Sequence, residues 1–295
     1  RPEPGLALST QADLPWAATW RSHWPEYLVE AGFLALFVLG AGAVSAWLLN
    51  PAATGGAAWT GVAARRLLAG AAMGLALAAM IYSPWGRRSG THLNPAITLA
   101  YLRLGKIGRW DALGYVLAQL AGGFVAVVLL RHNALLPAAT PPALLAATIG
   151  PTDEWPAFLT AFVLSGSAML LILFTSNHER WFRYTGLLYA ALVVATVACV
   201  APLAGFGMNL ARLLAVDASI DPANANWLNL LPPLLGMPLA VEGYRLFTGR
   251  SQVLCAKLAH NTRGRCIFRC HHPYQARALA LEPELLLLLL LPELV

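Results

Sequence analysis

Long apolar segments alternate with short polar connections along most of the chain. Six such segments cover roughly residues 27–49, 66–83, 112–130, 157–175, 185–203 and 227–248. Each approaches the ~20 residues that an α-helix needs to cross about 30 Å of hydrocarbon. They are rich in small residues, including the pair Gly70 and Gly74, which let helices approach closely in lipid. The pattern predicts an all-α membrane protein with six transmembrane helices.

Composition and charge agree with this prediction. The 295 residues are 58% hydrophobic and 12% charged, whereas a soluble domain carries about 25% charged residues. The net charge of +6 is spread over the connections, so we expect a lipid bilayer as partner and no nucleic acid. Lys and Arg concentrate in the connections 84–111 and 176–184 and in the C-terminal tail. The positive-inside rule then predicts a multi-pass protein of the plasma or inner membrane with both termini in the cytoplasm.

Two connections share an unusual motif. Residues 89–96 read Ser-Gly-Thr-His-Leu-Asn-Pro-Ala, and residues 204–212 read Ala-Gly-Phe-Gly-Met-Asn-Leu-Ala-Arg. In both, a Gly precedes an Asn by four positions and an Ala follows it by two. Gly permits a sharp turn, Asn is a favoured helix N-cap, and Pro95 suits a first helical position. The apolar stretch after each motif is too short to cross a bilayer, so we predict two re-entrant half-helices.

Half-helices that enter from opposite sides would meet tip to tip, with Asn94 and Asn209 at the membrane midplane. Each tip carries roughly +0.5 charge from its aligned peptide dipoles. Such a centre accepts a neutral molecule and repels cations and protons. An isolated Asn-Pro-Ala is an ordinary turn signal, but here the motif recurs after the second and the fifth apolar span. The recurrence predicts an inverted repeat of three spans plus three.

These motifs resemble the two signatures of the aquaporin, or major intrinsic protein, family. The first loop matches closely, the second matches at its Gly, Met, Asn, Ala and Arg positions, and residues 115–122 resemble the family's third span. The resemblance implies the aquaporin-like fold and a homotetramer with one pore per subunit. It divides the chain into an N-terminal cytoplasmic segment (1–26), a pore domain (27–250) and a cytoplasmic tail (251–295).

The same resemblance implies roles for particular residues. Arg212 would narrow the pore mouth, with Phe206, Val197 and Met73 near the same constriction. Glycerol facilitators commonly carry an aromatic residue at the Phe206 position, and water-selective pores often carry His at the Val197 position. Two departures are the Leu at 210 in place of a Pro and the Thr at 160 in place of a buried Glu. The residues implied to support the half-helices are Gly90, Pro95, Ala96, Gly205, Leu210, Ala211 and Glu30.

Three residues of the predicted pore and its support each have two interpretations. Glu30 could relay protons, because an ionisable group at lipid depth is usually functional, or it could accept hydrogen bonds from loop amides. His92 could line the vestibule of the pore and gate it with pH, or it could pack against the loop. Arg212 could face the pore or extend its guanidinium to the membrane surface.

The tail contains Cys255, His260, Cys266 and Cys270. Three thiolates and an imidazole suit tetrahedral zinc, although the spacing matches no standard zinc finger. The alternative is a solvated basic tail near anionic headgroups. A pore requires no cofactor, so zinc in the tail is the only cofactor the sequence indicates.

We therefore expect a passive channel for water and other small neutral solutes such as glycerol. A secondary transporter is one alternative, because inverted repeats with broken helices also build transporters. A membrane protein that senses metal or redox state through its Cys-rich tail is another. No nucleophile–base pair is evident in the sequence, so we do not expect an enzyme.

Overall fold

The computed structural model describes residues 15–48, 61–131, 154–200, 208–214, 227–249, 253–260 and 266–271. All regular structure in these ranges is helical. The helices are α1 (Trp16–Leu48), α2 (Val62–Tyr82), α3 (Pro84–Ser89), α4 (Pro95–Arg103), α5 (Arg109–Arg131), α6 (Glu154–Ser176), α7 (Thr185–Ala195, continued by a π-helical turn Thr196–Val200), α8 (210–214) and α9 (Trp227–Thr248).

The long helices match the six predicted spans closely. Five of those in the described ranges are long and apolar enough to cross a membrane. The sixth, α9, has 22 residues and is less apolar because it contains three prolines and Glu242. The prediction of an all-α membrane fold is confirmed.

The first helix differs most from its predicted span, because it begins at Trp16 rather than near residue 27. Its first turns pack against the start of α5. The Trp20 indole donates to the carbonyl oxygen of Trp110 over 3.2 Å, and His23 and Tyr27 each lie 2.6 Å from Asp111 Oδ1. A hydropathy pattern cannot reveal these polar contacts between two helices. The proposed boundary between residues 26 and 27 therefore falls inside a continuous helix.

Three helix pairs build the bundle: α1 with α5, α6 with α9, and α2 with α7. The pairing of the first predicted span with the third thus recurs as the pairing of the fourth with the sixth. This recurrence is the expected consequence of an inverted three-plus-three repeat.

Glycine permits close backbone contact in each pair. A Cβ at Gly122 of α5 would lie 2.1 Å from the carbonyl oxygen of Ala31 in α1, and one at Gly236 of α9 would lie 2.5 Å from that of Phe162 in α6. The pair singled out in the sequence, Gly70 and Gly74, faces Val194 and Ala190 of α7 in the same way. Close approach of this kind is the main source of helix association where lipid replaces water.

We predict that Gly122→Ala lowers the free energy of unfolding by about 1–3 kcal/mol, because the added methyl group forces α1 and α5 apart. The matched control is Gly40→Ala in α1, since a Cβ there meets nothing within 4 Å. Thermal unfolding in detergent, followed by tryptophan fluorescence, measures the difference. Equal melting temperatures for the two variants would contradict the packing role of Gly122.

Candidate functional site

The first re-entrant loop, residues 90–94, connects α3 to α4 through an unusual backbone. Gly90, Thr91 and Leu93 have φ values of 91°, 55° and 49°. For Thr and Leu this left-handed conformation costs of the order of 1–3 kcal/mol each, so the surrounding structure must stabilise it. In this conformation the amides of His92 and Leu93 point to Glu30, and the carbonyl of Leu93 points to Asn209.

Glu30 of α1 supplies that stabilisation. Its Oε1 accepts from the Ser89 hydroxyl (2.9 Å) and the His92 amide (3.1 Å), and its Oε2 accepts from the Leu93 amide (2.7 Å) and the Gln119 side chain (2.9 Å). Glu30 is fully buried. A buried carboxylate with four donors is held in one position, and it holds the loop in turn.

The two half-helix tips are bonded directly to each other. Asn94 Nδ2 donates to the carbonyl oxygen of Met208 over 2.7 Å, and Asn209 Nδ2 donates to that of Leu93 over 2.7 Å. Each asparagine also caps its own half-helix: Asn94 Oδ1 accepts from the Ala96 amide and Asn209 Oδ1 from the Ala211 amide, both at 3.1 Å. The structure therefore brings Asn94 and Asn209 together as N-caps that face each other.

Leu210 occupies the position where the family signature carries a proline. Its backbone amide donates to Asn94 Oδ1 over 3.3 Å. The amide that a proline would lack thus finds an acceptor in the opposite tip, and the half-helix begins normally with Leu213 N bonded to Asn209 O over 3.0 Å. The substitution adds a third bond between the two tips.

The predicted constriction residues are only partly described. Met73 and Val197 are buried on α2 and on the π-helical turn after α7, and Arg212 is buried on α8. A Cβ at Gly70 would lie 3.3 Å from that of Val197, so these two elements touch at this level. Phe206 and Gly205 lie outside the described residues. The hydroxyl of Thr160 bonds to the carbonyl of Pro156 in its own helix over 2.7 Å.

A narrow cavity adjoins the tip of the second half-helix. Most of its lining residues are apolar, and His92, Asn209 and Tyr189 are the ones with polar side-chain groups. The lining residues are Phe37, Leu77, His92, Leu93, Tyr189, Val193, Met208 and Asn209. A cavity with mostly apolar walls and a few polar groups suits a small neutral molecule without binding it strongly.

His92 connects this cavity to the tail. The imidazole Nε2 lies 2.8 Å from the carbonyl oxygen of Ala256, so Nε2 carries the proton. The neutral ring then accepts at Nδ1 from the Thr98 hydroxyl over 3.1 Å. The ring is stacked between Tyr101 and Phe268, with centroid distances of 5.1 and 5.4 Å. His92 is thus both a lining residue and a tightly packed residue of the loop.

The four predicted metal-ligand residues of the tail come together. The ligand atoms of Cys255, His260, Cys266 and Cys270 lie within 4.8 Å of one another. Hydrogen bonds from the Cys255 and Cys270 thiols lower the pKa of Cys266 well below its ordinary range, so this sulfur is the favoured thiolate. All four thiols of the chain are free of disulfide bonds.

Sequence reasoning missed several residues that support the site. Gln119 bonds Glu30, and the Tyr115 hydroxyl donates to the carbonyl of Ser89 over 2.6 Å. Arg88 pairs with the buried carboxylate of Glu26 over 2.9 Å. An available signal was the presence of Glu26, Glu30 and Gln119 in or beside apolar spans, since polar groups there need partners.

Two re-entrant half-helices whose capped tips face each other inside a bundle of membrane-spanning helices define a channel of the inverted-repeat class. The family model for "Major intrinsic protein" matches residues 17–244, and the chain belongs to this family. Members of the family are channels rather than enzymes, so that part of the prediction is confirmed. The secondary-transporter alternative is not favoured.

Similar proteins and a solved structure agree with this family assignment. The chain is 31% identical over 246 residues to the lens fiber major intrinsic protein of Gallus gallus, covering 81% of this chain and 86% of that protein. It is 31% identical over 184 residues to glycerol uptake facilitator protein-like 6 of Lactiplantibacillus plantarum, covering 59% and 82%. The fold resembles the aquaglyceroporin structure from Plasmodium falciparum with a TM-score of 0.58 at 19% identity, covering 75% of this chain and 95% of that one.

We predict that Glu30→Gln loosens the first loop, because glutamine keeps one acceptor oxygen but presents an NH2 group to the two donors that bonded the other carboxylate oxygen. We expect the free energy of unfolding to fall by about 1–3 kcal/mol. Hydrogen exchange at the amides of His92 and Leu93 should become faster than in the parent protein. The matched control is Glu242→Gln, since Glu242 is half-exposed and its pairs with Arg103 and Arg245 are surface pairs. Unchanged exchange in Glu30→Gln would show that the carboxylate does not hold the loop.

Proposed function

We propose that this protein conducts water and small neutral solutes, including glycerol, along a path that passes the paired asparagine tips, and that it excludes protons and ions there. The observation that carries the proposal is the pair of reciprocal bonds between the tips, Asn94 to Met208 O and Asn209 to Leu93 O, both at 2.7 Å. These bonds fix the side-chain amides of both asparagines at one level of the bundle.

Electrostatics supports the exclusion of cations. The N-termini of α4 and α8 face each other, and each contributes roughly half a positive charge. A cation would have to give up its hydration shell at the place where both dipoles repel it, whereas a neutral molecule with an oxygen acceptor is attracted. Proton transfer along a water file requires each water to reorient, and a central water that accepts from fixed amide donors resists that reorientation.

Arg212, Phe206, Val197 and Met73 are the residues that we propose to form the constriction. Arg212 is the polar member, and its burial on the second half-helix supports an orientation toward the bundle interior rather than the membrane surface. Val197 and Met73 are apolar, and an apolar mouth admits the carbon chain of a small polyol as well as water. The similarity to a protein named as a glycerol uptake facilitator agrees with this extension to glycerol.

The orientation in the membrane follows from charge. We propose that the connection 84–111 and the tail lie on the cytoplasmic side of the plasma or inner membrane, because Lys and Arg concentrate there. The docking of tail residues on Gly90 and Lys106 of that connection supports a shared side for the two.

We predict that vesicles containing the purified protein shrink faster than empty vesicles under an impermeant osmotic gradient and re-swell in glycerol, as followed by stopped-flow light scattering. Arg212→Ala should keep the water flux and raise the glycerol flux several-fold, because it removes the polar side chain that is proposed to narrow the constriction. Arg180→Ala is the matched control, since Arg180 is exposed in the connection between α6 and α7. Shrinkage no faster than in empty vesicles would overturn the proposed function.

We also predict a homotetramer. Many large apolar side chains on the outer face of the bundle are exposed in the single chain, among them Leu75, Leu159 and Leu239, and lipid together with neighbouring subunits would cover them. Native mass spectrometry from detergent should give a species of four times 31.5 kDa. A species of one chain mass under conditions that preserve water flux would contradict the tetramer.

A further inference from the structure

The tail segments 253–260 and 266–271, called the tail cap below, are mostly buried although they contain no helix or strand. Val253, Cys255, Ala256, Leu258 and Phe268 are each at most 4% exposed. A short irregular segment rarely stays folded on the strength of its own apolar contacts. A bound metal ion can supply the free energy that holds such a segment in place.

We propose that Cys255, His260, Cys266 and Cys270 bind one zinc ion, and that this ion holds the tail cap against the first re-entrant loop.

Two distances within the cluster are close to those of a tetrahedral zinc site. Zinc–sulfur bonds of ~2.3 Å at tetrahedral angles place two sulfurs about 3.8 Å apart, and the Cys255 and Cys266 sulfurs are 3.7 Å apart. The Cys270 sulfur and His260 Nε2 are 3.0 Å apart, which is about 0.5 Å closer than zinc ligands would be. An entering ion would therefore need only a small adjustment of this pair. The 3.7 Å separation is also far longer than a disulfide bond.

The ligand chemistry favours zinc. Thiolate-rich tetrahedral sites select zinc over magnesium, calcium and manganese, which prefer oxygen. His260 and Cys255 are buried, and Cys266 and Cys270 are partly buried. Four protein ligands with little access to water describe a closed structural site rather than a catalytic one, which keeps an open position.

Charge around the cluster agrees with a metal thiolate centre. One zinc ion with three thiolates carries a net charge of −1. Lys106 Nζ donates to the carbonyl oxygen of Arg269, the residue before Cys270, over 3.4 Å, and Lys257 follows Cys255 by two residues. Both lysines are buried, at 4% and 2% exposure. Buried ammonium groups need negative charge nearby, and a zinc trithiolate provides it.

The tail cap is bonded to the re-entrant loop and its neighbours at several points. The Leu258 amide donates to the carbonyl of Gly90 over 3.2 Å, and His92 donates to that of Ala256 over 2.8 Å. The Arg269 amide donates to the carbonyl of Lys106 over 2.9 Å. Because Ala256 and Leu258 lie between two ligands, Cys255 and His260, the metal would fix the residues that contact the loop.

The first experiment measures metal in the full-length protein, purified with a reductant from cells grown with added zinc. We expect about one zinc per chain, and less than a fifth of that in Cys255→Ser and Cys266→Ser. The matched control is Cys199→Ser, which should keep the metal because Cys199 is exposed on the π-helical turn. Protein in which zinc is exchanged for Co(II) should show the strong visible absorption of tetrahedral cobalt with thiolate charge-transfer bands.

The second experiment uses the unmodified sequence, so that misfolding of a variant cannot explain the result. Hydrogen exchange of residues 253–271 is compared before and after removal of zinc with a chelator. We expect at least tenfold faster exchange at the Leu258 amide after chelation, and recovery when zinc is returned.

Two outcomes would overturn the proposal. Wild-type protein with no more zinc than Cys255→Ser, or with stoichiometric iron in its place, would overturn the metal assignment. Zinc at one per chain with exchange of the tail cap unchanged by chelation would overturn the docking role. Neither outcome depends on solute flux, so the channel function stands or falls by its own test.

Discussion

The need to satisfy backbone hydrogen bonds away from water governs this structure. A re-entrant loop places peptide groups at a depth where lipid offers no partner, and each unsatisfied group costs several kcal/mol. The protein meets this need with side chains. Glu30 binds the amides of His92 and Leu93, Asn94 and Asn209 bind carbonyls of the opposite tip, and Leu210 supplies an amide to Asn94. The loop can therefore keep a strained backbone.

That strain has a consequence for transport. Leu93 adopts a positive φ of 49°. Its carbonyl oxygen accepts a hydrogen bond from the side-chain amide of Asn209. The same loop contributes Leu93 and His92 to the cavity wall. The loop that Glu30 stabilises thus also forms part of the cavity wall. In the proposed channel this hydrogen-bond network would govern both the stability of the loop and the selectivity, so we expect a change in Glu30 or Gln119 to alter both.

The tail cap extends this network away from the bundle. His92 is in contact with the cavity on one side and with Ala256 and Phe268 on the other. The tail cap, which contains the four proposed ligand residues, is therefore joined to the loop through the His92 imidazole and through the Leu258 amide, which donates to the carbonyl of Gly90. The hypothesis of a solvated basic tail does not describe residues 253–260 and 266–271, which are mostly buried. The hypothesis describes Arg269 only in part. Its side chain is exposed, but its backbone amide donates to the carbonyl oxygen of Lys106.

The sequence by itself determined the number and approximate bounds of the spans, the two half-helices and the family, because hydropathy, helix-capping residues and a repeated motif are local signals. It also indicated the four tail residues that we propose as metal ligands. Only the tertiary structure decided which partners those residues have. The start of α1 at Trp16 depends on Asp111 across the bundle, the support of Glu30 includes Gln119 from another helix, and Leu210 is accommodated by Asn94 of the opposite half. Contacts between residues distant along the chain leave no periodic pattern in the sequence, so they appear only when the helices are packed.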